Sequence, residues 1–300
     1  MPELPDLTVY AERLDALVGG QQLEALTIRH PFVLRSHEPM PATLVGRRVE
    51  STGLIGKRIV IELSGETFIV IHLMIAGRLH WRATGSKPLR GRQVLAEFRF
   101  PSGTLSLTEA GTTRRAAIHL AVGRPALAGF DRGGLDALRC THPEFSARLR
   151  SENHTLKRAL TDPRLFNGIG NAYSDEILHR ARLSPLLLTS RIDEAQVTAL
   201  HDAVRATIGE WTERLRAETG EGFPEQVTAF RDGMAVHGRY GQPCPRCGEK
   251  VQRIRYADNE TNYCARCQTG GKLLADRSLS RLLKSDWPRT LDELETLKGR

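Results

Sequence analysis

Three places in the 300-residue chain gather residue types that could do chemistry. Near the end, Cys244-Pro-Arg-Cys247 and Cys264-Ala-Arg-Cys267 make two CxxC pairs with sixteen residues between them. Four thiolates at this spacing can surround one tetrahedral zinc ion. With all four positions filled, none is left for a reacting water, so the metal would be structural. Two redox-active CxxC pairs would call for a strand–helix–strand setting that the flanking sequence lacks. The intervening VQRIRYADNETNY reads as two strands with a turn at Ala257-Asp258-Asn259, and Arg246, Arg266, Arg253 and Arg255 suit a phosphate-facing ribbon. Zinc ribbons also meet proteins. The second place is residues 167–176, Asn-Gly-Ile-Gly-Asn-Ala-Tyr-Ser-Asp-Glu, where two glycines precede a helix start. Backbone amides at such a start make an anion site. Asn171 can cap that helix or donate to a phosphate, and the two roles are compatible. The third place is the beginning, MPELPDL, which sets a proline and a carboxylate directly after Met1. A chain end is commonly frayed, and a proline there need do no more than stiffen it.

The elements that must position these residues follow from periodicity. DLTVYAERLDALV, residues 6–18, has helical apolar spacing and stops at Gly19-Gly20. From about 21 to 124 the period changes to two. QLEALTIR, RIVIEL, TFIVIHL, GRLHWRA, LAEFRF, GTLSLTEA and RAAIHLAV predict a sandwich or barrel of seven or eight strands. A Gly-rich connector between Pro125 and Pro143 leads to helical patterns in EFSARLRS, HTLKRALTD, GNAYSDEILHRAR and the long DEAQVTALHDAVRATIGEWTERLRAE. The second of these stops near Asp162-Pro163, so helix, glycine turn and helix suggest a device laid on a DNA backbone. Residues 218–240 are Gly-rich and polar, 241–268 form the cysteine-bearing hairpin, and LADRSLSRLLK in the tail has a weak helical pattern.

Composition limits the function classes. The chain is 40% hydrophobic and 26% charged, ordinary for a globular protein. No apolar run approaches the ~20 residues of a membrane span, and no signal peptide precedes the first helix, so the expected location is the cytoplasm. The net charge of +8, with Arg and Lys recurring at 231–255 and at Arg114-Arg115, suits a protein that meets phosphates, and plain solvated faces would carry the same charges. Cys140 stands apart from the other four cysteines and is expected as a free thiol.

Taken in order, Pro2-Glu3-Leu4-Pro5, Lys57 before a strand, His72-Leu73 followed by Ala76-Gly77-Arg78-Leu79, Gly168-Ile-Gly-Asn171-Ala-Tyr173 and the four cysteines form one pattern. The chain resembles the bacterial formamidopyrimidine-DNA glycosylase/endonuclease VIII family from Pro2 to about Gln268. The resemblance implies an α+β multidomain fold. Its parts are an N-terminal β-sandwich with an N-terminal helix (1–125), a helical helix-two-turn-helix domain (126–235), a four-cysteine zinc-finger hairpin (236–270) and an extension without counterpart (271–300). It implies a bifunctional DNA glycosylase and abasic-site lyase of base excision repair. Met1 would be removed, and the Pro2 amine would attack C1′ of the damaged nucleotide to give an iminium, followed by β,δ-elimination. Glu3 would move protons. Lys57 would contact the damaged nucleotide and its phosphate, and His72, Arg114 and Asn171 would contact DNA. Cys244, Cys247, Cys264 and Cys267 would hold one zinc, with no organic cofactor. The partner would be damaged DNA, bound by a monomer away from membranes.

The sequence departs from that family at the DNA-gripping positions. The zinc-hairpin arginine is replaced by Asn259, whose amide cannot make a charge-assisted fork with phosphate. Arg253 or Arg255 would have to substitute. The family fills the vacated base position with a Met, an Arg and a Phe; here these positions hold Ile75 (beside Met74), Arg114 and Ala116. Residues 218–240 are short for a loop that caps 8-oxoguanine. Oxidised pyrimidines, ring-opened purines and abasic sites, in single or double strands, remain open as substrates. The other reading is a non-catalytic damaged-DNA-binding protein of the same fold.

Overall fold

The computed structural model describes all residues except 112, 226, 257–258, 276–287, 292, 294–295 and 297–300. The expected turn residues Ala257 and Asp258, and most of the helical pattern in the tail, therefore lie outside the described residues. The chain divides into two units, residues 1–132 with 210–229, and residues 133–209 with 230–300.

In the first unit, α1 (Leu4–Val18) starts two residues before the apolar pattern does, with Glu3 as its cap and Pro5 in the first turn. Proline fits there because first-turn amides have no acceptor within the helix. Leu7, Tyr10, Leu14 and Val18 recur on one face of α1 and are buried. The strands follow in antiparallel pairs: β1 (Ala25–Ile28), β2 (Val49–Ile55), β3 (Arg58–Leu63), β4 (Thr67–His72), β5 (Gly77–Ala83), β6 (Val94–Phe100), β7 (Gly103–Glu109) and β8 (Ala117–Val122). They form two four-stranded sheets in the orders β2-β3-β4-β8 and β1-β6-β7-β5. Ile59, Ile61, Ile69 and Ile71 from one sheet share a core with Leu79, Phe98, Leu105 and Leu107 from the other, and with the buried face of α1. The alternate residues Val60, Phe68 and Val70 are also buried, with Leu127 of the short α2 (Arg124–Ala128) in the same cluster. This second cover explains why β4 reads as a continuous apolar run.

In the second unit, α3 (His142–Arg150) begins with a capping box. The Thr141 hydroxyl accepts from the Glu144 amide, and the Glu144 carboxylate accepts from the Thr141 amide at 2.7 Å. Next come α4 (Leu156–Thr161), α5 (Asn171–Ala181) and α6 (Glu194–Thr219); the last ends in residues assigned to the first unit. Packed aromatic rings of Phe145 and Phe166, 4.8 Å apart, belong to this helical core. The hairpin of β9 (Gln252–Arg255) and β10 (Glu260–Tyr263) runs into the one-turn α7 (Ala265–Thr269). No described helix is long and apolar enough to cross a membrane.

Candidate active site and nucleic-acid interface

The start of α1 places the opening residues inside the first unit. Pro2 is buried and Glu3 is only 3% exposed. The Glu3 amide donates to Asp6 Oδ2 at 3.0 Å, and the Glu3 carbonyl accepts from the Leu7 amide at 3.0 Å. Thus Glu3 is fixed by the first helical turn, and Pro2 beside it is buried. Burial pushes the terminal amine of Met1 below its ordinary pKa; the Glu3 carboxylate opposes this, while Arg78 and Lys57 push the same way as burial. These groups are close enough to act on one another.

Lys57 occupies the tight turn between β2 and β3, where Gly56 takes a φ of +57°, a conformation that favours glycine. Its side chain is half-buried, and burial pushes its ammonium below the usual lysine range, against the pull of Glu3. His72 ends β4, opposite Ala117 of β8. Burial, with Arg58, Lys57 and His119 adding positive charge, lowers its pKa to about 4. The ring is therefore neutral near pH 7 and keeps one N–H to donate. Arg78, which the sequence reading used as a motif residue without giving it a role, donates to the carbonyls of Ile75 (3.1 Å) and Gly77 (2.6 Å). It thereby closes the β4–β5 turn on which Ile75 stands 60% exposed.

Arg114 is held at the approach to β8. Its Nη1 lies 2.9 Å from His30 Nε2, and its Nη2 donates to the Arg92 carbonyl at 2.7 Å. Ala116, at the family's aromatic position, is 3% exposed and part of the main core. The cause is the buried Glu109, whose carboxylate accepts from the amides of Arg115 (2.9 Å) and Ala116 (2.9 Å) and draws this turn inward. The departure at position 116 is thus one of direction as well as size. Nothing in the sequence marks Glu109 beyond its place at a strand end.

Asn171 does not cap α5. Gly170 is the cap, in an extended conformation, and Asn171 is the first helical residue. The Asn171 Nδ2 instead donates to the Glu260 carbonyl of the zinc hairpin at 3.0 Å, which ties the α5 start to β10. Lys157, another residue the sequence did not single out, donates to the Asn171 carbonyl (2.9 Å) and pairs with buried Asp175 (2.5 Å). Asn259 is exposed, and its carbonyl accepts from the Tyr256 amide at 2.7 Å. Of its expected substitutes, Arg253 is half-buried, stacked 4.1 Å over the Tyr240 ring and 3.3 Å from the Glu260 carboxylate; Arg255 is exposed at the end of β9.

The sulfurs of Cys244, Cys247, Cys264 and Cys267 lie within 4.8 Å of one another. Two of the separations are 4.0 Å (Cys244–Cys267) and 3.4 Å (Cys247–Cys264). Tetrahedral Zn–S bonds of ~2.3 Å require about 3.8 Å between sulfurs, so the donor set fits zinc. His179 Nε2, 3.2 Å from Cys244 Sγ, supports that ligand from α5. Cys140 is a free, buried thiol outside this group.

Family models match three consecutive stretches. These are the formamidopyrimidine-DNA glycosylase N-terminal domain at residues 1–116, the H2TH domain of the same family at 134–219, and a zinc finger found in FPG and IleRS at 241–270. A formamidopyrimidine-DNA glycosylase of Thermus thermophilus is 31% identical over 280 residues, covering 90% of this chain and all of the relative. An uncharacterized formamidopyrimidine-DNA glycosylase-like protein of Mycobacterium tuberculosis is 42% identical over 151 residues, covering 50% of this chain and 94% of the relative. The structure of Lactococcus lactis Fpg with an abasic-site DNA shares the fold, with a TM-score of 0.77 and 22% identity over 89% of this chain and 99% of that one. Ordered motifs, fold and relatives agree: this chain belongs to the formamidopyrimidine-DNA glycosylase/endonuclease VIII family.

Proposed function

We propose that the protein is a DNA glycosylase and abasic-site lyase of base excision repair, with Pro2 as nucleophile. The observation that carries this is the buried Pro2-Glu3 pair at the cap of α1, next to a terminal amine on which Lys57 and Arg78 act and with Glu3 acting on Lys57. Removal of Met1 frees a secondary amine among these groups. At the Met1 amine, one residue away, burial, Arg78 and Lys57 favour the neutral form, and a neutral amine is the nucleophile the reaction needs. The Pro2 lone pair bonds to C1′ as the bond from C1′ to the base breaks, and the base leaves with that electron pair. The Glu3 carboxylate then takes the proton from that nitrogen, and the lone pair so freed expels O4′, to which Glu3 hands the proton, leaving an iminium that has no N–H to lose. The iminium draws electrons from the C2′–H bond. Loss of that proton expels the 3′ phosphate, and a second elimination expels the 5′ phosphate. Lys57, His72 and Arg114 are assigned to the DNA backbone and the damaged nucleotide on the family pattern, Asn171 to a phosphate, and exposed Asn259 to a weaker contact at the hairpin.

One zinc held by Cys244, Cys247, Cys264 and Cys267 would brace the hairpin and supply no step of the chemistry. The substrate is damaged DNA, bound by a monomer. Phe223, Glu225 and Val227 weigh against 8-oxoguanine as the main substrate. Glu225 is fastened to His80 (2.5 Å) and Arg82 (2.9 Å) of β5, Phe223 packs 5.4 Å from Tyr10, and Val227 enters the core. A segment so pinned favours an open pocket over a loop that closes on a base.

Borohydride trapping on oligonucleotides carrying an abasic site, 8-oxoguanine, an oxidised pyrimidine or no lesion tests this reading. The expected crosslink maps to the mature Pro2. Pro2→Gly should lower strand cleavage at least about a hundredfold while DNA binding persists. Absence of any crosslink from Met-processed, zinc-loaded protein would instead establish the non-catalytic reading that Asn259 and buried Ala116 motivate.

A further inference from the structure

Residues Pro31–Val33 form a 3-10 turn alongside β8. Val33 anchors it in the main core, Leu34 bridges Ile118, and the Arg35 amide donates to the Ile118 carbonyl at 2.8 Å. Proline at the first position and a buried valine at the third leave the middle residue pointing away from the core. Phe32 is accordingly 81% exposed, against 71% for Phe230, the next among the described large apolar residues. Since the backbone on both sides is tied to the fold, the ring cannot turn inward to hide.

Its surroundings are those of a surface that meets phosphates. Two residues earlier, His30 contacts Arg114, and both rest on the Arg92 carbonyl, at 3.2 and 2.7 Å. Arg114 leads into β8, the strand beside which the Phe32 turn lies, and at position 116 the chain turns its side chain into the core. An aromatic face beside guanidinium groups suits DNA: the ring takes the π-face of a base, and the cations take the backbone.

We propose that Phe32 stacks on an unstacked nucleobase of lesion-bearing DNA, supplying beside Arg114 the aromatic contact that buried Ala116 cannot make. The proposal deepens the reading of the protein as one that binds damaged DNA and depends on it, while not depending on Pro2 chemistry. A base that has lost its stacking partner at an abasic site offers a free face, whereas an intact duplex offers none.

The test measures binding of the zinc-loaded full chain to a labelled duplex containing an uncleavable tetrahydrofuran abasic analogue, and to the same duplex intact. Phe32→Ala is expected to weaken binding to the abasic duplex about tenfold and to leave binding to the intact duplex unchanged. Phe32→Trp should restore affinity, and the introduced indole should be quenched when DNA binds. Met40→Ala, which removes another exposed apolar side chain (62% exposed), serves as the control and should behave as wild type. Wild-type affinity of Phe32→Ala for the abasic duplex, or an equal loss on the intact duplex, overturns the proposal. Because the analogue is not cleaved, failure to trap Pro2 with the Phe32 effect intact would refute the lyase assignment alone.

Discussion

At the scale of single residues, the candidate site is defined by charge states that burial sets. His72 shows this with a measurable consequence. Its ordinary pKa of 6.5 applies in the unfolded chain, and burial with nearby cations lowers it to about 4 in the fold. Between these values the unfolded chain binds more protons, so folding stability falls as the pH drops from about 6.5 towards about 4. Urea unfolding at pH 7 and pH 5 should show this loss, and His72→Gln, which cannot titrate, should reduce it. An equal loss in the variant would place the titrating group elsewhere. Burial acts in the same direction on Lys57, whose ammonium it pushes below the usual lysine range against the pull of Glu3.

At the scale of elements, turns aim the side chains. The β4–β5 turn is closed by the Gly77 amide on the Leu73 carbonyl at 2.9 Å, and a Cβ at Gly77 would lie 2.2 Å from that carbonyl oxygen. Backbone cannot yield as a flexible side chain would. Gly77→Ala should therefore lose more than about 1 kcal/mol of stability, read by denaturant unfolding, and should also weaken DNA binding by displacing Ile75. Wild-type stability in this variant would contradict the packing described. At Arg115-Ala116 the effect is opposite, since the Glu109 carboxylate gathers these two amides beside the buried Ala116.

At the scale of the whole molecule, the two units have separate cores, and the cysteines belong only to the second. Cys264→Ser or a strong chelator should release one zinc per chain, weaken DNA binding and leave the strand signal of the first unit in place. Retention of full metal content by Cys264→Ser would remove the zinc assignment. With a net charge of +8, DNA affinity should also fall steeply with added salt, because each phosphate contact releases counterions.

Much of this was legible in the chain itself. The CxxC spacing fixes four donors through local geometry, alternation fixes which strand residues face inward, and the stretches that carry the ordered motifs lie within those the family models match. These signals survive in one dimension because they depend on neighbours a few residues apart. Contacts across the sequence do not. That Asn171 serves the zinc hairpin and not its own helix depends on Glu260, 89 residues away. The outward ring of Phe32 depends on β8, and the inward turn at Ala116 depends on a carboxylate at the end of β7. Residue type and spacing thus determined the reaction family and its metal donors. The direction in which Asn171, Phe32 and Ala116 point was decided only when distant strands met, because a buried polar group takes whichever partner the packed core brings within hydrogen-bond reach.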